Sequence, residues 1–163
     1  MNKKELKEVL DQHSLWLDSD GEEGRRANLT GALLMGAELT GANLWGANFR
    51  VAHLSRADLI GADLTGAVLR GADLYEADLR EATLTGANLR EAVLSRATLR
   101  EADLRGAELR EADLWKVNLT GAQLGPEIRE CWSFAQARVS EDQLAWLCLH
   151  PKFSEWVDGL EIV

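Results

Sequence analysis

Chemistry in this chain would have to come from three histidines, two cysteines and a large population of carboxylates. His13, His53 and His150 stand far apart, with no Cys or acidic partner at ligand spacing, so neither a metal nor a cofactor is expected. Cys131 and Cys148 leave a disulfide open, but two cysteines without a secretory signal are read first as buried thiols. There is no Gly-rich phosphate loop and no Gly-x-Ser-x-Gly, and the carboxylates recur at fixed intervals instead of gathering. No catalytic residue is therefore assigned. The cations are more suggestive, because Arg50, Arg70, Arg90 and Arg110 fall twenty residues apart. Such a column would meet an anion or a partner, or would pair with Glu91, Glu108 and Glu111 beside it in a salt-bridge ladder.

That interval belongs to a scaffold with a shorter period. From Arg26 to about Gly125 the chain repeats every five residues around an apolar centre. The centres are Leu29, Leu34, Leu39, Leu44, Phe49, Leu54, Leu59, Leu64, Leu69, Leu74, Leu79, Leu84, Leu89, Leu94, Leu99, Leu104, Leu109, Leu114, Leu119 and Leu124. Two residues before each stands Ala, except at Val117. An α-helix advances about 500° in five residues and would scatter these side chains around its axis. A strand alternates faces, so an odd period would point successive leucines to opposite sides. A chain that turns a corner every five residues and coils would aim all of them at one axis, as in a solenoid. Stepping by four units keeps Arg50, Arg70, Arg90 and Arg110 in one column and Gly46, Gly66, Gly86 and Gly106 in another, whereas stepping by three units mixes them. Four sides and about five coils follow.

The runs Ala-Asn-Leu-Thr-Gly at 27–31, Ala-Asp-Leu-Thr-Gly at 62–66 and Ala-Asp-Leu-Arg-Gly at 102–106 resemble the pentapeptide-repeat family. The resemblance implies an all-β solenoid, a right-handed quadrilateral β-helix, and says little about function. Some members resemble B-form DNA in shape and charge and bind DNA gyrase. A mimic of that kind would need acidic outer columns and, in the quinolone-protecting members, long protruding loops. This tract has neither, so gyrase binding is kept as the alternative, to be tested by a supercoiling assay.

The net charge of −9 sits mostly at the ends. Residues 1–25 carry seven acids against four bases, 26–126 thirteen against eleven, and 127–163 seven against three. An acidic chain with one basic column is a poor direct binder of nucleic acid. No apolar run approaches the ~20 residues of a membrane span, and Met1–Leu10 lacks the apolar core of a signal peptide, so the expected address is cytoplasmic without membrane contact.

Three segments are expected. Residues 1–25 form an N-terminal helical cap, with Asn2 and Glu5 as a capping pair, an apolar stripe of Leu6, Val9, Leu10, Trp16 and Leu17, and a stop at Ser19-Asp20-Gly21. Residues 26–125 form the solenoid. Residues 126–163 form a degenerate sixth coil, keyed by Trp132, Phe134, Ala137 and Val139, and a C-terminal helical cap opened by Ser140. A Trp-rich end could equally dimerise, so monomer and dimer both stay open. The Asn and Asp that precede eleven of the twenty centres are read as turn formers. A protein-binding scaffold with an unidentified partner is the expected function. Its candidate contacts are the arginine column and the outward Tyr75, Val93 and Trp115, on a side that also carries Leu33 and Met35. A Thr ladder of the ice-binding kind is limited to Thr65 and Thr85.

Overall fold

The structure, a computed structural model, describes residues 1–125, 136–143 and 160–163. From Ala27 onward the backbone coils as the five-residue period demands. Residues twenty apart form parallel bridges: Asn28 with Asn48, Leu33 with His53, Glu38 with Asp58, and Asn43 with Asp63. Four bridges at five-residue intervals are the four sides of one coil. Each side is so short that most pairings stay single bridges. At the lower end they lengthen into β1 (Asp103–Leu104) beside β2 (Gln123–Leu124), and β3 (Arg138–Val139) beside β4 (Glu161–Ile162), both parallel.

One hydrogen-bond pattern builds every coil. The N–H of each central Leu donates to the next coil, as Leu29 does to the Asn48 carbonyl at 2.7 Å, while the Asn48 N–H donates back to the Ala27 carbonyl at 3.0 Å. The corner N–H also reaches the next coil, Gly31 to Arg50 at 2.9 Å, and the Ala N–H closes a turn on the preceding Leu, Ala32 to Leu29 at 3.0 Å. Inside, Ala and Leu stack in layers, and every centre from Leu29 to Leu119 is buried. Leu124, expected in the core, is only partly buried, because Gly125 and Pro126 break the period directly after it. At the opposite end Ala32, Ala37 and Ala42 are also only partly covered, since a first coil has no coil above it.

The corners carry strain that the sequence pattern shows only in part. All nineteen corner positions from 31 to 121 take positive φ, ten of them glycine and nine not. Left-handed backbone costs a residue with a Cβ roughly 1–2 kcal/mol, against about 0.5–1 kcal/mol for the extra unfolded freedom of glycine. Glu81, exposed with φ 60, should therefore gain from Glu81→Gly. A gain of about 0.5–1 kcal/mol, seen as a rise of some 1–4 °C in Tm, is expected in a thermal melt.

Helix α1 (Lys3–Asp18) is capped at Asn2, whose side chain accepts the Glu5 N–H while the Glu5 carboxylate accepts the Asn2 N–H. It ends as expected, with Ser19 as C-cap and positive φ at Asp20 and Gly21. Leu6, Val9 and Leu10 pack on the core. The return segment runs against the helix, with the Arg25 N–H donating to the Gln12 carbonyl at 2.9 Å.

At the other end the sixth coil keeps its register where it is described. Arg138 bridges Asn118, and Ala137 and Val139 are fully buried. Below it, the Glu161 N–H donates to the Ala137 carbonyl at 2.9 Å and that of Val163 to Val139 at 3.1 Å. This further strand layer was not foreseen. Ser140 and Gln143 form the expected cap, with the Ser140 N–H donating to Gln143 Oε1 at 2.8 Å. The buried Gln143 amide then donates to the Leu119 and Ala122 carbonyls at 2.7 and 2.8 Å, closing the edge of the last regular coil. Trp132, Phe134, Cys131, Cys148, His150 and the helix expected after Gln143 lie outside the described residues.

Candidate binding surface

Within the five-residue units whose next coil is described, the backbone satisfies four N–H groups, and the fifth belongs to the residue after the centre. In all eleven units with Asn or Asp before the centre, that side chain accepts it: Asn28 from Thr30, Asp63 from Thr65 and Asp113 from Trp115 are examples, at 3.3, 2.9 and 3.0 Å. The turn-forming reading of these residues holds, and the physical reason is local, because only a short side chain can reach two residues ahead.

Several outward cations pair at close range. Arg80 and Arg105 each grip the carboxylate two residues back with two nitrogens, Nε to Oδ1 at 2.9 Å in both. The Arg105 guanidinium holds the Asp103 carboxyl at about 2, and Arg80 lowers Asp78 in the same way. Arg56 lowers Glu76. Every shifted carboxylate among the described residues moves toward the ionised form, the opposite of a general acid poised near neutral pH. No cluster of His, Cys, Asp and Glu suited to a metal occurs among the described residues.

The arginine column stands on the first side of the tower. Arg70 reaches Glu91 of the next coil at 2.7 Å and Arg110 lies 3.6 Å from Glu111, whereas Arg50 and Arg90 have no carboxylate partner among the described residues. The expected ladder between coils has one rung formed among the described residues, Arg70 to Glu91. Its salt bridges are exposed and contribute little to stability.

The second side carries Met35, Ser55, Tyr75, Ser95 and Trp115 on successive coils, alternating large and small. Ser95 is buried, its Oγ donating to Asp113, and Ser55 Oγ donates to Asp73 at 2.5 Å. Tyr75 and Trp115 are half-buried, and Val93 is 38% exposed. What the sequence did not show is that Arg96, at the corner, lies over both rings, 5.9 Å from the Tyr75 centroid and 5.4 Å from that of Trp115. Lys116 covers Trp115 from its own coil at 4.5 Å. The side is therefore mixed cationic and aromatic. A basic residue two places after a central Leu, beside an aromatic one place after it, was the available signal.

Leu33 and Met35 are 65% and 74% exposed. They edge an open groove of about 300 Å³ against Leu6 and Leu10 of α1, with Lys3 and Glu38 paired at 3.1 Å beside it. Beside the aliphatic contacts of Leu6, Val9 and Leu10, the cap docks through Trp16, which stacks on Trp45 at 6.1 Å and on His13 of its own helix at 5.7 Å.

His13 is the buried titratable group of the cap. Its Nδ1 accepts the Ala27 N–H at 3.2 Å, and its Nε2 has no partner. Burial, and then Arg26, push its pKa below 6.5. The folded cap therefore binds the neutral ring, and stability is lost as pH falls below the unfolded value of about 6.5. A melt of the cap should hold its Tm above pH 7 and lose several degrees by pH 5, a loss that His13→Phe abolishes. An unchanged slope in that variant would assign the effect elsewhere.

A four-sided tower with a packed Ala/Leu interior and turn-forming Asn/Asp on each side is the architecture of a pentapeptide-repeat protein. The family model for pentapeptide repeats, eight copies, matches residues 25–53, 52–90 and 87–124, and the chain belongs to that family. Three solved structures show the likeness. HetL, a pentapeptide repeat protein of the cyanobacterium Nostoc sp. strain PCC 7120 involved in heterocyst differentiation regulation, is 36% identical over 69% of this chain and 62% of its own, TM-score 0.53. A pentapeptide repeat protein of the Arabidopsis thaliana thylakoid lumen is 32% identical over 71% and 74%, TM-score 0.55. Rfr23 of the cyanobacterium Cyanothece 51142 is 40% identical over 56% and 62%, TM-score 0.55. The chain thus spans less than two thirds of HetL and of Rfr23. QnrB1, a plasmid-mediated fluoroquinolone resistance protein, shares the fold at 19% identity, TM-score 0.53. No curated protein sequence matches the chain. Among the described residues no helix is long and apolar enough to cross a membrane.

Proposed function

We propose that this protein is a non-enzymatic binding module, a rigid tower whose second side meets a protein partner. The observation that carries the reading is the joint placement of Tyr75, Val93 and Trp115 with Arg96 on one side. Aromatic and arginine side chains are the groups that most often dominate protein interfaces. Two further features support it. Among the described residues, the interior of the coils is filled with buried Ala and Leu, with no titratable side chain between them. Glu76, Asp78 and Asp103 are held ionised by arginines, and Asp58, Asp63, Asp73 and Asp113 are engaged in turns. Likeness to HetL, a protein involved in regulation, agrees with a role without catalysis. The test is affinity capture from the native cell with wild type beside Tyr75→Ala/Trp115→Ala. Loss of specific proteins from the variant's capture is expected, and an identical set would remove the second side from consideration.

A further inference from the structure

Near the base of the tower, cations collect along the corner between the second and third sides. Arg96, Lys116, Gln136, Arg138, Leu160 and Glu161 line an open cleft of about 700 Å³. Three of the six are cations, and the one carboxylate, Glu161, is paired with Arg138 at 3.1 Å. Arg96 makes a long contact of 3.5 Å with Glu76, which Arg56 holds more closely at 2.8 Å. Asp73 and Asp113, on the same side, are engaged by Ser55 and Ser95 and by their own turns. On a chain of net charge −9, the described lining of the cleft carries three cations against one carboxylate.

We propose that this cleft docks an extended acidic peptide segment of a partner protein, its carboxylates facing Arg96, Lys116 and Arg138. The inference rests on the reading of the second side as a binding surface, and it names the partner's chemistry. The cations stand on successive coils, about 4.8 Å apart along the tower. The three residues belong to three successive coils, so the row they form along the tower is longer than a lone phosphate. An extended chain presents side chains on one face every ~6.6–6.8 Å and meets several. The rings of Tyr75 and Trp115 hold Arg96, and Trp115 holds Lys116, so less side-chain freedom is lost on binding.

The test is fluorescence anisotropy of a fluorescein-labelled alternating Glu-Ser peptide with the full chain at about 50 mM salt, where screening is weak. Wild type is expected to bind. Arg96→Glu/Lys116→Glu should weaken binding at least about tenfold, while Arg50→Glu/Arg90→Glu, the same charge change on the first side, should weaken it by less than about twofold. No binding by wild type, an equal loss in both variants, or tighter binding of labelled oligothymidine overturns the proposal. If Arg96→Glu proves unfolded by circular dichroism, Lys116→Glu alone carries the comparison, since Lys116 is an exposed corner residue. Peptide binding together with an unchanged captured set for Tyr75→Ala/Trp115→Ala would overturn the broader reading alone. A depleted set with no peptide binding would overturn this one alone.

Discussion

Leu79→Asp should unfold the tower as a unit. Leu79 lies in the third of five regular coils and has no exposed surface. Truncation to Ala at such a site costs about 2–5 kcal/mol through lost burial and the cavity left behind. A carboxylate there adds the cost of an unpaired buried charge, and the whole stability of a domain this size is about 5–15 kcal/mol. The position matters as much as the chemistry. Each coil contacts only its neighbours, and repeat arrays need about three units for stability, so a broken third coil leaves two fragments too short to stand alone. Circular dichroism should show loss of structure at 25 °C for Asp, and a cooperative melt at lower temperature for Leu79→Ala. A Leu79→Asp protein that melts where wild type does would mean that the side chain does not face the axis.

Gly24→Ala should detach the N-terminal cap without unfolding the coils. Gly24 has φ +67, and a Cβ there would stand 2.2 Å from the Gln12 carbonyl oxygen and 2.7 Å from the Trp16 nitrogen, both backbone atoms of α1. Backbone cannot swing aside as a flexible side chain can, so α1 must move away from the return segment. That movement would break the Arg25-to-Gln12 bond and take His13 from Ala27. The coils keep their own hydrogen bonds, so the expected result is faster amide exchange over Lys3–Asp18 with exchange of Leu69–Leu99 unchanged. Uniform acceleration across both regions would show that cap and coils unfold together.

The solenoid was legible because its interior permits few alternatives. Twenty centres at a period of five exclude helix and plain strand, and columns at a spacing of twenty set four sides, which the bridges from Asn28 to Asn48 and onward confirm. The capping pair of Asn2 and Glu5 and the turn role of eleven Asn and Asp were equally readable, because those bonds span two or three residues. The corner geometry was half readable. Glycine marked ten positions, while Val51, Glu81 and seven others adopt the same positive φ because the coil around them over-determines it.

The surface was less legible. Tyr75, Val93 and Trp115 could be placed on one side from the register, yet nothing in their spacing shows that Arg96 bridges two rings twenty residues to either side of Ser95. Nor could Leu33 and Met35 be known to stay exposed, since that depends on the angle at which α1 crosses the first coil.

The sequence by itself determined the period, the four sides, the buried residues and the first cap, because backbone geometry and the burial of Ala and Leu repeat in every unit and leave one way to satisfy both. Only the tertiary structure decided which cations lie over which aromatic rings, how His13 and Gly24 seat the helix, and that a strand from the C-terminus flanks a basic cleft. Those contacts join residues far apart in the chain through long side chains with many rotamers, and nothing periodic fixes their direction.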